Sequence, residues 1–66
     1  MNWQQVEDSW NDLRGKVHKK WANLTEEDLT AIRGKRDELV KRIQQRYPIE
    51  RAKAEQVSDE FVRNLR

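Results

Sequence analysis

The 66-residue chain has no cysteine, one histidine, one proline and two glycines. Disulfide stapling is therefore excluded, and His18 has no second histidine or any thiolate with which to share a metal, whereas zinc sites draw three or four such ligands. Apolar residues never run longer than two in a row, far short of the roughly 20 that a membrane span needs. The N-terminus, Met1-Asn2-Trp3-Gln4-Gln5-Val6, lacks the basic and apolar regions of a secretory signal, so a cytoplasmic location is expected. Net charge is also scarce: 14 Lys and Arg against 12 Asp and Glu leave only +2, less than the basic excess usual for a dedicated polyanion binder. Glycine-rich phosphate loops are absent, since Gly15-Lys16 and Gly34-Lys35 lack the Walker spacing.

What the chain does have is charge and tryptophan. Charged residues make up 39% of it and the mean hydropathy is −1.21. Its 18 large apolar side chains suffice for one core, so residues 1–66 are expected to form a single domain. Chains this short commonly rely on disulfides or metals. With neither at hand, efficient helix packing around Trp3, Trp10 and Trp21 has to serve, each ring burying on the order of 150–250 Å².

The apolar spacing is helical throughout. Trp3, Val6, Trp10, Leu13, Val17, Trp21 and Leu24 alternate steps of three and four and fill a stripe about 80° wide, predicting one continuous helix of about 20 residues through Gly15. Leu24-Thr25-Glu26-Glu27-Asp28-Leu29 is a helix start: Thr25 caps, the three acids complement the helix dipole, Leu24 staples onto Leu29, and Asp28 stands where a capping box usually has Glu. Gly34 is either a C-terminal cap or an interior glycine. The favoured reading separates a short helix over about 26–33 from a second over about 35–47, which Pro48 ends by disfavouring the helical region at Tyr47. A last helix carries Ile49, Ala52, Val57, Phe61 and Leu65, flanked by Ala54 and Val62. About four short amphipathic helices burying their stripes against one another make an all-α bundle, expected as a monomer.

Few residues carry chemistry. Ser9 and Ser58 lack a nucleophile–base setting, and the many carboxylates need a desolvating pocket before one can act as a general acid. An enzyme is not expected. Residues 33–46 hold a net +4, and Lys35, Arg42 and Arg46 fall within about 40° of one another on the helical wheel, with Arg33 and Lys41 nearby. These five residues are the candidate contacts for a polyanion or a protein partner, weak nucleic-acid binding being the alternative function. Against this stand four helix-supporting pairs, Asp37 to Lys41, Glu38 to Arg42, Asp12 to Lys16 and Asp59 to Arg63, all i to i+4 with the acid first.

Asn2-Trp3, Trp10, Arg14-Gly15-Lys16-Val17, Trp21, Leu24-Thr25-Glu26-Glu27-Asp28-Leu29, Ile32, Gly34-Lys35-Arg36-Asp37, Leu39 and Ile43-Gln44-Gln45-Arg46-Tyr47 together resemble the CsbD-like family of small bacterial stress-response proteins, in its YjbJ-like branch. The resemblance covers nearly the whole chain. It implies orthogonally packed helical hairpins similar to SAM-like domains, and expression in general, osmotic or stationary-phase stress. It supplies no cofactor and no catalytic or ligand residue. Relatives tend to have a Ser or Thr cap for the last helix where this chain has Glu50, so the start of that helix is the least secure part of the fold that the resemblance implies.

Overall fold

Every amphipathic segment becomes helical in the computed structural model, which describes residues 1–65. The helices are α1 (Trp3–Asp8), α2 (Trp10–Lys20), α3 (Glu26–Ile32), α4 (Arg36–Arg46) and α5 (Arg51–Arg63), with no strand among the described residues. They pack into an all-α bundle of 28 × 22 × 18 Å, in which α4 makes its broadest contact with α5 and also packs on α3.

The long first helix departs from expectation. It breaks into α1 and α2, and it breaks at Ser9 (φ −110°, ψ 20°) rather than weakening at Gly15. α1 has its own capping box: Asn2 accepts from the Gln5 amide at 2.9 Å, and the Gln5 side chain accepts from the Asn2 amide at 2.9 Å. The bend brings α1 onto the turn between α3 and α4, a contact that periodicity along one segment cannot reveal. α2 ends at Lys20, so Trp21 and Leu24 enter the core from the following loop instead of from the helix.

That turn is built by two residues with positive φ, Arg33 (52°) and Gly34 (80°), which end α3 and separate it from α4. Gly34 is needed twice over. Its dihedral favours glycine, and a Cβ there would lie 2.8 Å from Glu7 Cα and 2.9 Å from both Glu7 N and Val6 O. The backbone of α1 thus rests directly on Gly34. Downstream, Tyr47 is extended (φ −133°, ψ 142°), as the following Pro48 demands, and Glu50 begins α5 with no side-chain cap.

The core comprises Val6, Trp10, Leu13, Val17, Trp21, Leu24, Leu29, Ile32, Leu39, Val40, Ile43, Ala54, Val62 and Leu65. Trp10 buries its ring and donates Nε1–H to the Leu29 carbonyl at 2.9 Å, satisfying the one polar atom that would otherwise oppose burial. Trp21 meets Phe61 at 5.1 Å between ring centroids with planes tilted by 58°, within the range of favourable aromatic pairs. On α5 the buried face runs through Ala54, Ser58 and Val62, while Val57 and Phe61 lie half-buried at its edge and Ala52 is exposed. The face expected through Ala52 and Val57 is therefore rotated toward the residues that flanked it. Small side chains at Ala54 and Ser58 suit the close approach of α5, and Ser58 spends its hydroxyl on the Ala54 carbonyl at 2.7 Å.

The two glycines should respond oppositely to alanine. Gly34→Ala adds a clash with α1 and a disfavoured dihedral, at a cost of about 3 kcal/mol. Gly15→Ala, whose Cβ meets nothing within 4 Å, should stabilise by about 0.5–1 kcal/mol through helix propensity. Urea unfolding of both variants measures the contrast.

Candidate functional site

The most unusual side chain is Asp28. It occupies the third position of α3, where the Thr25 side chain caps its amide: Asp28 N donates to Thr25 Oγ1 at 3.1 Å, and Thr25 N donates back to Asp28 Oδ2 at 3.0 Å. The capping box therefore closes with aspartate in the place of the usual glutamate. Asp28 is also completely buried, and a buried carboxylate requires compensating donors. α4 provides them. Arg46 places Nε 2.8 Å from Oδ2 and Nη2 3.2 Å from Oδ1, and Arg42 places Nη1 3.1 Å from Oδ1. With the Thr25 amide, all of the roughly four acceptor positions of the carboxylate are filled. Arg42 Nε is itself buried without an acceptor, a cost the ion pair has to offset.

Hydrogen bonding from Arg46 is the main cause that holds the Asp28 carboxyl far below the usual carboxylate range; burial opposes it, and the Thr25 amide and Arg42 reinforce it. The same bond raises Arg46 above its ordinary value. A second network joins both ends of the chain to α4. Asp59 accepts from Arg36 Nε at 2.8 Å and Arg36 Nη2 at 3.0 Å, and from Trp3 Nε1 at 3.2 Å. Hydrogen bonding from Arg36 lowers the Asp59 carboxyl, and Asp59 in turn raises Arg36.

These networks decide where the candidate contacts point. Arg42 and Arg46 turn to Asp28, and Lys35 donates to Glu7 at 2.9 Å, linking α4 to α1. Arg33, at the C-cap of α3, and Lys41 are exposed and form no ion pair among the described residues. The line of cations read along one wheel is thus engaged within the chain, Arg42 and Arg46 with α3 and Lys35 with α1. None of the four expected i to i+4 pairs is among the ion pairs of the described residues. Asp59 pairs with Arg36 instead of Arg63, and Arg42 with Asp28 instead of Glu38; the i, i+4 pair that does form is Arg51–Glu55 at 3.1 Å. Asp28, Arg36 and Asp59 were missed as site residues. The signal for Asp28 was present in the capping pattern, but nothing local said that the carboxylate would be buried.

Chemically, an Asp28 locked in the ionised state is a structural anion with no proton to give near neutral pH. Two surface clefts accompany it, one of about 300 Å³ lined by Lys20, Val57, Glu60, Phe61, Asn64 and Leu65, the other of about 570 Å³ between α1 and the start of α4, lined by Trp3, Glu7, Lys35, Arg36, Asp37 and Glu38. Among the described residues no group of three or more His, Cys, Asp or Glu is placed to hold a metal ion, and no helix is long and apolar enough to cross a membrane.

Comparison with known proteins gives the lineage. A UPF0337 protein of Pectobacterium atrosepticum is 49% identical over 55 residues, covering 83% of this chain and 80% of its own. The UPF0337 protein YjbJ of Escherichia coli K12 is 43% identical over 65 residues, covering 97% of this chain and 94% of its own. The chain belongs to the UPF0337, or CsbD-like, family. A UPF0337 relative from Nitrosomonas europaea, 41% identical over 61 residues, extends further: this chain spans 65% of its length. No family model matches the chain, and no solved structure matches it. These UPF0337 relatives are bacterial and their names state no activity.

The ionised Asp28 generates a prediction about acid. Its folded-state value lies below the ordinary 3.8, so its contribution is complete above that pH and is lost as pH falls, because the unfolded chain takes up the proton first. Asp59 acts in the same direction. Stability should decline below about pH 4, and Asp28→Asn should flatten that decline. At pH 7 the substitution should cost about 2 kcal/mol, less than the roughly 3–5 kcal/mol of a fully buried pair, because the stranded guanidiniums reach solvent. Denaturant titrations from pH 7 to pH 2 on both proteins measure both effects.

Proposed function

We propose that this protein is a non-enzymatic, cytoplasmic bacterial protein of the general or osmotic stress response, acting by binding or by protecting other molecules. The observation that carries this reading is the state of Asp28. A general acid needs a carboxyl whose proton affinity is raised, whereas the fully buried Asp28 carboxylate is surrounded by donors from Thr25, Arg42 and Arg46 that keep it ionised and serve packing. The resemblance to stress-response proteins supplies the biological setting.

Protection differs from catalysis in its dependence on dose. In a strain lacking the gene, survival after hyperosmotic shock should fall, and restoring the protein from a titratable promoter should raise survival in proportion to its amount. An unchanged survival, or full rescue by trace amounts, overturns the reading.

The nucleic-acid alternative draws less support, since Arg42, Arg46 and Lys35 are engaged within the chain. Arg33 and Lys41 alone would neutralise about two phosphates, giving a log–log salt slope of about −2. Titration of duplex DNA at 50 to 200 mM salt is expected to show at most that shallow dependence; a slope near −4 or steeper would restore all five cations as phosphate contacts.

A further inference from the structure

The junction of α1 and α2 is a bend that no side chain caps. Ser9 sits at the N-cap of α2, yet its hydroxyl makes no capping bond. Helical hydrogen bonding continues on either side: Ser9 N donates to Gln5 O at 3.0 Å, and Ser9 O accepts from Leu13 N at 3.0 Å. Trp3 and Val6 keep the three-and-four spacing of Trp10, Leu13 and Val17, so the segment is patterned for one straight helix. The bend is maintained by what α1 touches, namely the Gly34 turn beneath its backbone, Lys35 on Glu7, and Asp59 on Trp3.

We infer that Ser9 is a hinge through which α1 is exchanged between two copies of this chain. Straightening at Ser9 lifts α1 off its own seat, exposes Trp3 and Val6, and vacates a surface complementary to the same helix of another molecule. In a two-fold pair each α1 then rests on its partner's Gly34 turn, with the Glu7–Lys35 and Trp3–Asp59 contacts remade between chains. The bent monomer and the swapped dimer contain the same contacts apart from the hinge, so protein concentration and the residue at position 9 set their balance.

Charge reversal across the seat tests this. Glu7→Lys and Lys35→Glu each place like charges between α1 and its own seat. In a swapped pair formed from one copy of each variant, both seats again hold opposite charges. The two variants, each verified as helical by circular dichroism, are mixed in denaturant, refolded together at high concentration and examined by native mass spectrometry. The mixed dimer is expected to exceed the two self-paired dimers by about tenfold, the scale of two exposed ion pairs turned from repulsive to attractive. In the otherwise unchanged protein, Ser9→Ala should raise the dimerisation constant about fivefold and Ser9→Gly should lower it by a similar factor, through helix propensity at two hinges. Absence of a mixed dimer, or dimers formed without regard to charge pairing and to residue 9, overturns the exchange.

Discussion

A carboxylate removed from water has to be surrounded by donors, and at Asp28 those donors come from two separate elements. The Thr25 amide belongs to the same helix turn, and the Arg42 and Arg46 guanidiniums come from α4. One side chain therefore terminates α3 at its N-end and fixes the rotation of α4 about its own axis. With that rotation set, Leu39, Val40 and Ile43 point into the core, and the first residue of α4, Arg36, reaches Asp59 on α5. Removing either arginine leaves a buried anion short of donors, which is why such pairs specify an arrangement even where their net contribution to stability is modest.

The second constraint is the absence of a side chain at Gly34. Because the α3–α4 turn offers bare backbone there, α1 approaches within van der Waals distance, and its two polar anchors, Glu7 and Trp3, reach Lys35 and Asp59. In this way a six-residue helix, too short to persist alone, becomes part of the domain. The Ser9 bend follows from that docking. Helix propensity and periodicity both favour continuity, and tertiary contact outweighs them.

Most of the fold was legible in the residues. Thr25 and the acids after it announce a helix start, and Pro48 enforces an extended Tyr47, because each acts through its own backbone or its neighbours'; Gly34 read as either a cap or an interior glycine, and the structure shows it in the turn that separates α3 from α4. The tryptophan stripe likewise placed Trp10 and Trp21 in the core; Trp3, on the same stripe, is half-buried. The candidate contacts were less legible. Lys35, Arg42 and Arg46 do share one side of α4, yet a helical wheel has no outside until its neighbours are known, and that side proved to face Asp28 and Glu7. The local pairing rule failed for a related reason: Asp59 reaches a bidentate arginine on another helix, a better-defined partner than the exposed Arg63 one turn away.

By itself the sequence determined the helical periodicity, the capping of α3, the stop at Pro48, and the identity of a core built on aromatic and branched side chains instead of disulfides. All of these depend on interactions within a few residues, where chain connectivity alone sets the geometry. Tertiary structure decided the bend at Ser9, the burial of Asp28, the rotation of the α5 face toward Ala54 and Ser58, and the partners of Arg36, Arg42 and Arg46. Those outcomes depend on which surfaces meet across the fold, and the energy of a charge or a dihedral changes with the dielectric and the steric contacts that the neighbouring helix brings.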